Sequence, residues 1–205
     1  MNGTVGIIGG GGWLGGAIAE RGLSAGVLSA SSLIVSGRSP RGDRYVQWPE
    51  VTWTSDNADL ARRSEIVIVS VRPQQFGKVS LDLKGKLAIS VMAGVSMATL
   101  RRRLNSDRVV RAMPNAAAEI GRSYTPWLAC EHVTTADRAF VTALFSSCGE
   151  EDEVETERQL DFIDYRGTTA AGLSAMISAG LRDAVGSGLR AAATAAADMA
   201  AGNDV

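Results

Sequence analysis

A single histidine, His132, stands in a chain of 205 residues, and the two cysteines, Cys130 and Cys148, lack metal-ligand spacing. The first scarcity removes most histidine-based acid–base mechanisms and any histidine-rich metal site, so no metal is expected. The second leaves two reduced, partly buried thiols rather than a disulfide framework. His132 lies among Glu131, Thr134 and Asp137 and reads as a surface or helix-start residue. Excess charge of one sign is also missing. The formal net charge is -1, with 21 basic and 22 acidic residues mixed along most of the chain, which argues against nucleic-acid and membrane-surface partners. No basic segment followed by an apolar run opens the chain, and no stretch is long and apolar enough to span a bilayer. A soluble, cytoplasmic protein acting on a small molecule is the expectation. With 45% hydrophobic residues, the length allows one full-sized domain plus a small appendage.

What the chain has in quantity is glycine, concentrated at the start. Val5 to Ile8 is a short apolar run followed by Gly9, Gly10, Gly11, Gly12, Trp13, Leu14 and Gly15, then by Ala17 to Leu23 at helical periodicity. Gly10, Gly12 and Gly15 have the spacing of the dinucleotide fingerprint. Its first glycine makes the turn, its second admits a pyrophosphate, and its third lets helix and strand pack closely. The strand before and the helix after are the context that the motif needs. Residues 9–15 are therefore expected to cradle the cofactor at a helix N-terminus.

Leu33 to Ser36 reads as a second strand, ended by Ser36-Gly37-Arg38-Ser39-Pro40. NAD-binding proteins place an Asp or Glu here for the ribose hydroxyls. Hydroxyls and an arginine stand in its place, which favours NADP, with Arg38 on the 2′-phosphate and Ser36 and Ser39 as added donors. Arg41 and Arg44 are expected to reinforce the positive field.

Further strands are expected at Val51–Thr54, Glu65–Ser70, Leu87–Val91, Val109–Met113 and Tyr124–Leu128. Helices are expected at Asp56–Ser64, Ser96–Leu104 and Thr135–Ser147. Such alternation describes an α/β fold, a Rossmann-like doubly wound and mostly parallel sheet with the first strand at its centre, over residues 1–148. Residues 149–205 read as a short helical C-terminal segment. Its opening acidic run, Glu150 to Glu157, reads as a solvated rim or first helical turn rather than a metal site, and its alanine-rich end as a helix that packs on another surface.

Several separate stretches resemble the pyrroline-5-carboxylate reductases. They are Val5 to Ile18, Val69-Ser70-Val71-Arg72-Pro73-Gln74, Ser90 to Ser96, Val110-Arg111-Ala112-Met113-Pro114-Asn115, and Gly167-Thr168-Thr169-Ala170-Ala171-Gly172-Leu173. The resemblance covers nearly the whole chain. It implies reduction of a cyclic imine to proline with NADPH or NADH. Asn57, Val71, Arg72, Pro73, Met92, Ala93 and Asn115 would join the cofactor site. Thr169 would hydrogen-bond the ring nitrogen, and Gly167 and Thr168 would hold the substrate carboxylate. A homodimer through the C-terminal helices is implied as well.

The chain also departs from that family. The long helix opened by Ser-Gly-Ser-Gly-Pro-Ala, and the helices after it, have no counterpart, because Asp161 to Tyr165 runs almost directly into Gly167. In the family that segment builds the dimer and lends residues to the partner's site. Asp164, followed by Tyr165 and Arg166, stands where the family has a serine near the substrate carboxylate, and Trp13 replaces a small polar residue of the glycine loop. Two other readings therefore stay open: an NADP-dependent reductase of another imine or carbonyl compound, and an NADP-binding protein without turnover.

Overall fold

In a computed structural model, residues 3–38, 42–79 and 81–160 are described. They form an eight-stranded sheet in the order β3-β2-β1-β4-β5-β6-β7-β8. The strands are β1 (Val5–Ile8), β2 (Leu33–Ser36), β3 (Thr52–Thr54), β4 (Ile66–Val69), β5 (Leu87–Ser90), β6 (Arg108–Ala112), β7 (Ser123–Ala129) and β8 (Gly149–Glu153). The helices are α1 (Trp13–Ser24), α2 (Asn57–Arg63), the single turn α3 (Pro73–Phe76), α4 (Met97–Leu104) and α5 (Thr135–Ser146). The expected Rossmann-like α/β architecture is therefore present, but β1 is third of the eight strands rather than central, because β7 and β8 extend the sheet beyond β6.

All residues of β1, β2, β4 and β5 are buried, as expected for apolar strands of a parallel sheet covered on both faces. The strands from β3 to β6 are parallel, in register from Ile34 opposite Thr52 to Ser90 opposite Arg111. Chain order reverses direction between β1 and β4, and ligands of open α/β sheets lie outside the strand ends at such a point. Only β7 runs antiparallel to its neighbour β6, and β8 then pairs parallel with β7.

β8 corrects one expectation. Gly149–Glu153 is a strand, not a rim or helical turn, and the helical turn begins later, at residues 157–160. Pattern alone hides it, since Gly-Glu-Glu-Asp-Glu has no apolar alternation. Its side chains are anchored individually. The Trp127 indole N–H donates to Glu151, the Tyr124 hydroxyl donates to Asp152 at 2.7 Å, and Arg138 pairs with Glu153. The bond to Asp152, together with burial, holds the Tyr124 phenol above its ordinary pKa. A charged outer strand also discourages edge-to-edge pairing with other chains.

Cys130 and Cys148 are both free and buried, and burial pushes the Cys148 thiol up. His132 is exposed beside Glu131, two residues before the α5 N-cap Thr134. That cap is a reciprocal box. Asp137 N–H donates to the Thr134 hydroxyl and Thr134 N–H donates to the Asp137 carboxylate, which also receives Arg108 at 3.1 Å from β6. Asp137 is only 5% exposed, so its loss uncaps α5 and removes the carboxylate that Arg108 pairs with. Asp137→Ala is expected to destabilise the fold by about 2 kcal/mol, a melting-temperature fall of about 4–8 °C at this size. Thermal unfolding beside Glu131→Ala, an exposed control expected to change little, measures it.

Candidate active site

The carboxyl ends of β1, β2, β4 and β5 finish level with one another, because the ladder runs on into their loops. Gly9 N–H donates to Ser36 C=O at 3.1 Å, Ser70 N–H to Ile8 C=O at 2.9 Å and Val91 N–H to Val69 C=O at 3.2 Å. Residues 9–15, Ser36 to Arg38, Val71 to Pro73 and Met92-Ala93 thus share one edge of the sheet. Asn115 follows β6 on that edge too.

Within the glycine loop the left-handed residue is Gly9 (φ 81°), not Gly10 as the fingerprint spacing predicts. A Cβ on Gly9 would lie 2.2 Å from Ser70 C=O, so the turn and the approach of β1 to β4 both demand glycine there. Gly15 has the close-packing role expected of it: a Cβ would come 2.7 Å from Gly9 C=O and 3.0 Å from the Ser70 side chain. The loop delivers the chain into α1 through Gly12, an N-cap with no side-chain cap bond and no acidic residue in the first turn. By contrast, α2, α4 and α5 are capped by Asp56, Ser96 and Thr134. First-turn N–H groups lack intrahelical partners, so the start of α1 leaves backbone donors and a positive dipole end to an outside acceptor. The residues present therefore fit a pyrophosphate.

At the end of β2 the predicted residues separate. Ser36 is buried and its hydroxyl donates to Asn57 Oδ1 at 2.6 Å, which fixes the first residue of α2 instead of facing outward. Arg38 is exposed and, among the described residues, has no ion-pair partner. Arg44, expected to add to the same field, is instead neutralised. It pairs with Glu20 of α1 and, at 3.2 Å, with Glu119. Trp13, 49% exposed at the first position of α1, donates its indole N–H to the same Glu119. Glu119 belongs to a 3-10 turn, Ala116–Ile120, capped by Asn115 through a bond from Ala117 N–H at 2.9 Å. Asn115 Nδ2 donates to Tyr124 C=O at 3.4 Å, so its side chain holds this turn.

Beyond β4, Arg72 and Pro73 are exposed and Val71 half-buried; beyond β5, Ala93 is exposed while the Met92 side chain is buried. Ser39, Gly167, Thr168 and Thr169 lie outside the described residues, as does Arg41.

A family model described as NADP oxidoreductase coenzyme F420-dependent matches residues 4–94. A pyrroline-5-carboxylate reductase of Thermus thermophilus is 34% identical over 176 residues, covering 84% of this chain and 67% of that relative. This chain belongs to the pyrroline-5-carboxylate reductase family. A Synechocystis reductase of the family is 31% identical over 186 residues, 87% of this chain and 68% of that one. The pyrroline carboxylate reductase of Plasmodium falciparum, solved with NADP bound, shares the fold with a TM-score of 0.69 at 24% identity, over 89% of this chain and 70% of that one. In each comparison the match spans about two thirds of the other protein's length.

Two residues outside the predicted set shape this edge of the reductase fold. One is Glu119. The other is Glu157, at the tail of the acidic run, whose carboxylate accepts Met97 N–H at the start of α4 at 2.5 Å and meets Arg111 of β6 at 3.3 Å. Arg111 is 3% exposed, so Glu157 neutralises a buried charge while holding α4, whose preceding loop is Met92 to Val95. A buried arginine inside the Val110–Asn115 stretch requires an acid somewhere, which is the one signal the sequence offers. The Glu157 side chain is 38% exposed, which screens the pair. Glu157→Ala is expected to cost about 1–2 kcal/mol, against under about 0.5 kcal/mol for the exposed neighbour Glu155→Ala. Paired denaturant titrations read the difference.

Proposed function

We propose that this chain binds NADPH along the aligned strand ends and uses it to reduce the C=N bond of a small cyclic imine of the pyrroline-5-carboxylate type. The observation that carries the reading is the uncapped start of α1 behind the Gly9 bend, on one edge with the exposed Arg38. Backbone donors there suit a pyrophosphate, and a free guanidinium suits a 2′-phosphate. Family membership and the NADP bound in the Plasmodium relative support the same cofactor.

The chemistry asks little of side chains. NADPH, when bound, supplies a hydride to the imine carbon. The imine nitrogen arrives protonated and keeps its proton as the C=N bond becomes a C–N single bond, so no general base is required. The Thr169 hydroxyl orients that nitrogen, and the Gly167 and Thr168 N–H groups bind the carboxylate. Val71, Arg72, Pro73, Met92 and Ala93 line the nicotinamide side, with Asn57 and Asn115 fixing the loops around them. The proposal also divides the chain into a nucleotide-binding part through residue 148 and a substrate-holding segment from 149, with β8 attached to the sheet of the first. A cytoplasmic homodimer through the C-terminal segment completes it. Two free buried thiols suit a reducing compartment.

Absorbance of NADPH with pyrroline-5-carboxylate as the oxidant tests the function. Oxidation is expected, with kcat/KM lowered about ten- to hundredfold by Thr169→Val, the range for one hydrogen bond to a charged group. NADPH that binds but is not oxidised by this imine contradicts the substrate assignment. Light scattering tests the dimer, and a monomer at working concentration contradicts it.

A further inference from the structure

Trp53 belongs to no motif, yet it stands at the centre of β3, paired with Val35 one residue before the end of β2. Its indole is partly buried and reaches past that end to the glycine loop. A Cβ placed on Gly11 would lie 2.7 Å from indole Cη2; one on Gly37 would lie 2.7 Å from Cζ2, 2.8 Å from Cη2 and 3.7 Å from Gly11 Cα. The six-membered edge of the indole is therefore a close neighbour of both the loop and the residue after β2. The ring is held there. Tyr45 lies against it with centroids 6.2 Å apart at 54°, and the buried Tyr45 hydroxyl donates to Gly10 C=O at 2.7 Å. Indole, tyrosine and glycine loop thus pack together.

In a dinucleotide-binding sheet the adenosine ribose lies between the glycine loop and the end of the second strand. That is the gap the Trp53 ring borders. Arg38, one residue beyond Gly37, is exposed on the same rim. We propose that Trp53 is the wall of the adenosine subsite, the aromatic surface that the adenosine half of NADP lies against, opposite the Arg38 guanidinium. Bases and riboses gain from an aromatic surface whatever their sequence or phosphorylation, and a guanidinium adds a phosphate partner. Two consequences follow for this chain. Gly11 and Gly37 are glycines because the indole fills the space their side chains would need. Trp53 contributes affinity for the adenosine half in general, while Arg38 discriminates the 2′-phosphate.

The inference rests on the NADP reading above, and the test separates the two. Tryptophan emission is followed while adenosine 2′,5′-bisphosphate, the adenosine half without nicotinamide, is titrated into wild type, W53F, W53A and W13F. Wild type and W13F are expected to be quenched, W53F to lose the quench while binding within about threefold of wild type by calorimetry, and W53A to bind about tenfold more weakly. Adenosine 5′-monophosphate is expected to lose a similar factor in W53A. A quench that survives in W53F, or a W53A protein that binds the bisphosphate as tightly as wild type, overturns the proposal. Should W53A fail to fold, the W53F quench still decides. Wild type that binds neither NADP nor the bisphosphate overturns the cofactor reading itself, and this inference with it.

Discussion

The site hangs on the bend at Gly9. Gly9 is left-handed, and a Cβ on it would lie 2.2 Å from Ser70 C=O, so glycine at this position lets β1 stay hydrogen-bonded to β2 and β4 to its last residue and still turn at once towards α1. Gly15 then brings α1 down onto Gly9 and Ser70, which points the helix start along the strand ends. Because the cap position is another glycine, no side chain satisfies the first turn. Sheet geometry is thus converted into an anion site by backbone alone, which explains why so little of it is written in charged residues.

Around this bend the charged and aromatic side chains are arranged to keep the loop in place. Glu119 gathers Trp13 from α1 and Arg44 from the 3-10 turn Asp43–Tyr45, while its own C=O accepts from Arg21 at 2.6 Å. On the far side Tyr45 and Trp53 brace Gly10 and Gly11. Arg44 is thereby committed to structure, and among the described residues Arg38 is the cation at the end of β2 that is open to a ligand. Further along, Glu157 ties a buried arginine of β6 to the start of α4, so the loop after β5 is held from beyond the sheet.

Much of this was legible in the residues. Continuous apolar runs such as Ile66-Val67-Ile68-Val69 announce strands buried on both faces, and the helices expected from Asp56 and Ser96 are present with those two residues as their N-caps. The fingerprint announces the loop, though it assigns the turn to Gly10 where the left-handed residue is Gly9, since several adjacent glycines make local spacing ambiguous. What pattern could not reveal is pairing at a distance. β8 carries no apolar side chain and is held as a strand by its ladder with β7 and by Tyr124, Trp127 and Arg138, which donate to its carboxylates. Ser36 looks like a ligand donor until Asn57 is found beside it, and Glu119, Glu157 and Trp53 gain meaning only from partners tens of residues away.

Calorimetric titration of NADP and NAD into wild type and Arg38→Glu tests the central claim most directly. The account predicts heat from both dinucleotides, with NADP bound at least about tenfold more tightly, the scale of one charge-assisted phosphate contact. It also predicts that preference lost or inverted in Arg38→Glu, while NAD affinity changes little. No heat from either nucleotide, or an NADP preference untouched by the substitution, would contradict it.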